Sequence, residues 1–274
     1  MIDHDLIKRA FAEDLQGGED ITSVSTVSGT EKVVADFVAR KAGVIAGIDM
    51  ARAVLTEVGL TDIAVLVQDG THVEPGTTVM TVRGDTRAIL LAERTALNFL
   101  GHLSGIATLT KRWVDEIAGT KCAIRDTRKT TPGMRMLEKY AVRMGGGTNH
   151  RMSLSDAALI KDNHIAAAGG VGKAFGQVRA KYPDAPIEIE VDTLDQLREV
   201  LPLKPDLVLL DNMSPQQCAE AVAITAGGCK LEASGGITLE NARFYALSGV
   251  DYLAIGALTH SAPVLDIGLD LRAE

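Results

Sequence analysis

The sequence has little of what marks several large protein classes. Its 274 residues hold three cysteines, Cys122, Cys218 and Cys229, an odd number with no CxxC spacing. Neither a zinc site nor a disulfide framework is suggested, and small buried residues are the expectation for all three. Aromatic residues make up 4% of the chain and the formal net charge is −8, a poor composition for a nucleic-acid binder, which needs a basic face and stacking side chains. No run of 18 apolar residues occurs, and the opening MIDHDLIKRAFAEDL alternates charge with apolar residues at helical spacing, without a secretory apolar stretch. A soluble cytoplasmic protein with no membrane or nucleic-acid partner is the expectation. What is present is ordinary globular composition, 46% hydrophobic and 23% charged, enough to bury a full core in one large domain or two unequal ones.

The charge is unevenly placed. Between Lys121 and Lys161 nine basic residues face three acids, a net +6 inside a chain of net −8. A local field of that sign in an acidic protein points to an anion pocket, whose ligand is small and multiply negative.

Residues 4 to 15 put Ile7, Ala10, Phe11 and Leu15 on one helical face, a short surface helix. From 32 to 84 the texture is Val-rich and Gly-punctuated, with turns at Asp69-Gly70 and Pro75-Gly76. Antiparallel strands are predicted there, with a helix near 49 to 58. Residues 86 to 118 read as a long helix bridging two domains. After residue 120 six short apolar runs alternate with helical segments: CAIRDT, AALIKD, IEIEV, LVLLDN, KLEAS and DYLAIGA. Their ends lie 21 to 34 residues apart, a spacing that suits β-loop-α units in a barrel-like or doubly wound parallel sheet.

Nearly every run ends in a polar residue or glycine: Thr127-Arg128-Lys129, Lys161-Asp162, Glu190, Asp211-Asn212, Ser234-Gly235-Gly236 and Gly256. The carboxyl ends of parallel strands converge on one face, where α/β barrels build their active sites, so the six ends read as one site. SGGIT precedes the helical segment TLENARFYAL, and backbone N–H groups with the helix dipole could hold a phosphate there. Glu190 and Asp211 read as isolated carboxylates suited to a magnesium ion carried largely by phosphates and waters, or to orienting a ribose hydroxyl. Arg128, Lys129, His150, Arg151 and Lys161 supply cationic or hydrogen-bonding groups that two carboxylates and a pyrophosphate would use. Arg135, Lys139 and Arg143 read as a solvated helix face, and His102, His164 and His260 as structural histidines. GVGKAFG is not a P-loop, because Lys173 is followed by Ala174 and the upstream glycine is missing. A Schiff-base lysine at Lys161 is the competing chemistry; its cationic neighbours weigh toward anion binding.

The motifs AERTALNFLGHLSGIAT, DTRKTTPG, LEKYAVRMGGGTNHR, IKDNHI, EVD, LLDN, EASGGIT and GALTHSAPVLDIGLD together resemble the quinolinate phosphoribosyltransferases, from about Glu13 to Leu271. Met144 is a departure, since many relatives carry a smaller residue there. The resemblance implies an N-terminal α/β sandwich domain (1–105, joined by the tail 261–274) and an incomplete parallel α/β barrel (106–260). It implies reaction of quinolinate with 5-phosphoribosyl 1-pyrophosphate, with magnesium, giving nicotinate mononucleotide, pyrophosphate and carbon dioxide in NAD biosynthesis. Arg128, His150, Arg151 and Lys161 would contact the quinolinate carboxylates. Arg94 would come from the neighbouring subunit of a homodimer or higher oligomer. Thr127, Lys129, Lys161, Glu190 and Asp211 would line the phosphoribosyl pyrophosphate and magnesium region, and Ser234, Gly235, Gly236 and Gly256 the 5-phosphate. Lys129, Lys161, Glu190 and Asp211 would be the catalytic group.

Overall fold

The computed structural model describes residues 2–272. The chain begins with α1 (His4–Leu15), α2 (Ile21–Thr26), β1 (Lys32–Ala39), β2 (Gly43–Val44), α3 (Ile48–Glu57), β3 (Asp62–Val65), β4 (His72–Val73), β5 (Thr78–Asp85) and α4 (Thr86–Glu116). It continues with β6 (Ala123–Arg125), α5 (Arg135–Met144), β7 (Ala158–Ile160), α6 (Asp162–Ala168), α7 (Val171–Lys181), β8 (Ile187–Val191), α8 (Leu194–Val200), β9 (Leu207–Asp211), α9 (Pro215–Thr225), β10 (Lys230–Ser234), α10 (Leu239–Leu247), β11 (Tyr252–Ala254), α11 (Ala257–His260) and β12 (Ile267–Arg272). Two compact units result. No helix among the described residues is long and apolar enough to cross a membrane.

The first unit comprises the chain up to Lys111, residues 136–146 and the residues from Ser261 onward. Asp3 and Asp20 start α1 and α2 by accepting backbone N–H groups of the first turn, which would otherwise lack partners. Its sheet runs β12-β1-β5-β3, antiparallel throughout. Central strand β1 is buried on both faces, from Val33 and Val34 to Phe37 and Ala39, as its Val-rich composition requires. On helix α5 Arg143 is exposed and Arg135 half-buried, but Lys139 corrects the expectation of a solvated basic face. Lys139 and Glu138 have no exposed surface, Glu138 is hydrogen-bonded to His102 at 2.9 Å, and Tyr140 donates to Asp69 at 2.7 Å. Met144, half-buried at the end of this helix, lies beside Gly70.

The second unit, residues 112–135 and 147–260, is built on one six-stranded parallel sheet in the order β6-β11-β10-β9-β8-β7. Helical segments separate successive strands, and α8 and α9 carry side-chain caps at their starts. Ser214 accepts from Gln217 N ahead of α9, with Pro215 at the first helical position, and Thr193 does the same for Gln196 before α8. The sheet is open, so the barrel is incomplete, with β6 and β7 as its edges.

Candidate active site

Residues from the ends of all six strands, both edge strands included, line one cavity of about 430 Å³. Laid flat, six strands would hold their edges roughly 24 Å apart, so the sheet must curl for this to occur. Thr127, Arg128 and Lys129 enter the cavity after β6, Lys161 after β7, Glu190 from β8, Asp211 from β9 and Ser234 from β10, with His150 and Arg151 beside them. A contiguous cavity of about 370 Å³ shares Thr127, Lys129, Asp211 and Ser234 and adds Gly235, Gly236 and Gly256. Every site residue expected from sequence therefore borders one of these two spaces except Arg94, which lies on α4. A larger cavity of about 600 Å³ lies beside β7, α6 and α7. Its lining is chiefly Ala, Leu and Val, and it shares only Arg151 and Leu159 with the site.

The cationic side is held by local hydrogen bonds. Thr127 Oγ1 accepts from Lys129 N at 3.1 Å, and Lys129 O accepts from Thr259 Oγ1 at 2.8 Å. Arg128 buries its Nε with no acceptor among the described residues, a donor that a bound carboxylate would satisfy. Arg151 is lowered from the usual guanidinium range, first by burial and then by Arg128. Two crowded guanidinium groups make a place that favours an arriving anion. His164 accepts from Lys161 N at 3.0 Å and so fixes the start of α6.

The acidic side differs from the expectation of two isolated carboxylates. Glu190 Oε2 lies 2.6 Å from Lys161 Nζ in a close ion pair. Asp211 accepts from Asn212 Nδ2 at 2.8 Å, and its carboxyl is pushed up by burial first and by Asp192 second, with Lys161 and Lys129 pulling the other way. The glycines have separate reasons. At Gly235, with φ +86°, a Cβ would sit 2.2 Å from Asn212 Oδ1; at Gly236, with φ +64°, it would meet nothing within 4 Å. Gly235 thus serves close approach as well as backbone angle, and Gly236 the angle alone. At Gly256 a Cβ would come within 3.0 Å of Lys129 Cδ. Of the glycine turn and helix expected to receive a phosphate, the turn lines the smaller cavity and α10 begins two residues beyond Ile237. The smaller cavity is lined only as far as Ile237, and Leu239 and Glu240 line a different cavity with Arg112, Asp115 and Glu116.

Beneath the strand-end groups lies a buried polar layer that sequence reasoning missed. Glu232 has no exposed surface, accepts from Arg125 Nη1 at 2.7 Å and reaches His150 Nε2 at 3.5 Å; His150 Nε2 also meets Glu188 Oε2 at 2.8 Å. Burial first and Glu188 second push the Glu232 carboxyl up to about 7. The signal was in the sequence: side chains alternate along a strand, so IEIEV puts Glu188 on the face of Glu190, and KLEAS puts Glu232 on the face of Ser234. By residue type His150, Glu188 and Glu232 could hold a metal. Burial raises the thiols of Cys122 and Cys218 to about 12 and 11, so neither offers a thiolate nucleophile.

Residues 20–104 match the N-terminal domain, and residues 106–270 the C-terminal domain, of the quinolinate phosphoribosyl transferase family. The nicotinate-nucleotide pyrophosphorylase (carboxylating) of Mycobacterium leprae is 54% identical over 97% of this chain and 96% of its own. The mitochondrial quinolinate phosphoribosyltransferase (decarboxylating) 2b of Nicotiana tabacum is 40% identical over 98% of this chain and 82% of its own. The crystal structure of the nicotinate-nucleotide pyrophosphorylase from Ehrlichia chaffeensis superimposes with a TM-score of 0.94 at 40% identity, covering 98% of each chain.

Proposed function

As a member of the quinolinate phosphoribosyltransferase family, the chain transfers the phosphoribosyl group of 5-phosphoribosyl 1-pyrophosphate to quinolinate with loss of carbon dioxide, a step of NAD biosynthesis, and we propose that the two strand-end cavities are where it does so. One observation carries the placement: Arg128, Lys129, Arg151 and Lys161 converge on a single cavity, and the buried Arg128 Nε there lacks an acceptor. A planar dicarboxylate supplies the missing acceptors, and guanidinium forks suit carboxylates.

In this reading Arg128 and Arg151 take the quinolinate carboxylates, Lys129 faces the pyrophosphate, and Ser234 to Gly236 with Gly256 receive the 5-phosphate. Departure of pyrophosphate leaves an oxocarbenium-like ribose, which the carboxylates of Glu190 and Asp211 stabilise. Lys161 links the two halves. A substrate anion drawing on its ammonium group loosens the 2.6 Å pair with Glu190 and turns that carboxylate's charge toward the ribose. The pyridine nitrogen attacks C1, and the 2-carboxylate then leaves as carbon dioxide from a quaternised ring, a step that asks for orientation in a dry, cationic pocket. The same ion pair argues against a Schiff-base lysine, because Lys161 Nζ is already engaged by Glu190.

Magnesium fits this donor set as an ion brought by the substrate. Glu190 is engaged by Lys161 and Asp211 by Asn212, and two carboxylates at separate strand ends make no cage. They would hold the ion largely through water, and when bound it would neutralise the departing pyrophosphate. Calorimetry on the substrate-free protein should find weak magnesium binding; tight binding would contradict this assignment. The enzyme is read as cytoplasmic and as at least a homodimer, with Arg94 reaching the cavity of a neighbouring subunit. The placement is tested by carbon dioxide release that requires both quinolinate and 5-phosphoribosyl 1-pyrophosphate, in wild type and in Arg128→Ala. Undiminished release by the variant would place the reaction elsewhere.

A further inference from the structure

His150 sits in the cationic wall of the cavity, and both of its ring nitrogens have partners inside the protein. The backbone N–H of Arg151 donates to His150 Nδ1 at 2.8 Å. The hydrogen of a backbone amide is fixed by the peptide plane, so this donor cannot be turned around as a side-chain amide could. Nδ1 must therefore present a lone pair. The single proton of a neutral imidazole then resides on Nε2, which donates to Glu188 Oε2 at 2.8 Å. An imidazolium would set two N–H groups head to head at Nδ1.

Both ring nitrogens are thus committed inside the protein. A metal on Nε2 would demand an imidazolate, because Nδ1 already lacks its proton; the His150, Glu188 and Glu232 trio is therefore a hydrogen-bonded relay rather than a metal centre. The charged groups around the ring are Glu188 from β8, Glu232 from β10 with Arg125 of β6 on its other oxygen, Asp126 at the ring's own backbone N–H, and Arg151 next in the chain. Buried Asp126 accepts from His150 N at 2.8 Å and from Asn149 Nδ2, which fixes the turn from a second side. Beyond the ring, Arg151 Nη1 donates to Ala157 O at 2.8 Å. The Arg151 main chain is thereby tied to β8 through the ring, and its guanidinium is aimed from a fixed base.

We propose that His150 is a positioning residue, a neutral ring protonated on Nε2 that couples buried Glu188 to the Arg151 backbone and sets the aim of Arg151, and that it is not a cation for a substrate carboxylate. The inference rests on the reading above that places a quinolinate carboxylate against Arg151.

The direct test is long-range ¹H–¹⁵N spectroscopy of the full-length protein with ¹⁵N-labelled histidine rings, at the pH of the activity assay, with His150 assigned by loss of its signals in His150→Gln. One pyridine-type nitrogen at Nδ1 and one pyrrole-type nitrogen at Nε2 are expected. Two pyrrole-type nitrogens, or a proton on Nδ1, overturn the proposal. Kinetics give an independent reading. Glu188→Gln keeps an acceptor for the Nε2 proton without the charge, and should lose far less than Glu188→Ala, whose KM for quinolinate should rise about tenfold, as loss of one buried hydrogen bond implies, while KM for 5-phosphoribosyl 1-pyrophosphate stays put. Equal damage in the two variants would show that the charge matters, as it would for an imidazolium. If Glu188→Gln fails to fold, the spectra of the wild-type protein decide alone. Failure of the functional reading looks different: wild-type protein would then release no carbon dioxide from quinolinate at all.

Discussion

Lys161 and Asp211 sit on opposite sides of one electrostatic balance, and each can be tested by its own change. The Lys161 side chain is 44% exposed and its partner Glu190 is largely buried, so the pair contributes little to folding, while its charge serves the substrate. Lys161→Ala should lose about 2 to 5 kcal/mol of transition-state stabilisation, the usual cost of removing one partner of a desolvated charge pair, with almost no change in Tm. Near-normal kcat/KM would remove Lys161 from the site, and a large fall in Tm would make it structural. For Asp211 the sign runs the other way. Burial and Asp192 raise its folded carboxyl above the ordinary 3.8, so its contribution to stability is intact below that value and is lost as pH rises through the folded one. Asp211→Asn, which never ionises, should therefore be more stable than wild type at neutral pH, lose that advantage in acid, and be nearly inactive; paired melting curves at the two pH values and a turnover assay check all three. At this scale the strand-end residues were legible, because each falls where a short, mainly apolar run gives way to polar residues or glycine. Glu188, Glu232 and Arg125 form a second ring that the strand ends alone do not reveal; only the two-residue alternation along each strand places Glu188 and Glu232 on the faces of Glu190 and Ser234.

The six strands of the second unit were legible as elements for the same reason: short apolar runs at regular spacing, separated by capped helices. Packing partners were harder to see. From Met136 onward α5 belongs to the first unit, and nothing in its amphipathic pattern says which unit its apolar face will meet; the charge of Lys139 alone suggests a solvated position, and only its packing shows it buried. Helix α10 shows a related limit, since a strand–Gly-Gly–helix sequence gives order along the chain and not which of its residues will line the cavity. What lines the cavity is the loop from Gly235 to Ile237. Gly235→Ala should accordingly act on that loop rather than on the helix. A left-handed alanine costs about 1 to 2 kcal/mol, and its Cβ would displace Asn212, whose side chain donates to Asp211. KM for 5-phosphoribosyl 1-pyrophosphate should rise severalfold more than KM for quinolinate, as steady-state kinetics in both substrates would show. An equal rise in both would mean that the loop does not hold the phosphate.

At the scale of the whole molecule the outstanding residue is Arg94. It lies on α4, in the first unit, and is not among the residues that line the strand-end cavities, yet the family resemblance gives it a quinolinate carboxylate. Composite sites reconcile these facts: in a two-fold dimer each subunit would lend Arg94 to the cavity of the other, making two equivalent shared sites. The arrangement has an arithmetic signature. Arg94→Ala and Lys129→Ala homodimers should each be nearly inactive, since every site in them carries one lesion. In a hybrid dimer the Lys129 of one subunit meets the Arg94 of the other, so one site collects both lesions and its twin has neither. Random exchange of subunits makes about half the dimers hybrids, and about a quarter of all sites should then regain full activity. Mixing and re-annealing the two variants, with exchange followed by mass spectrometry, measures this directly. If exchange is complete and no activity returns, Arg94 acts within its own chain or takes no part in the reaction, and the dimer loses its role in building the site.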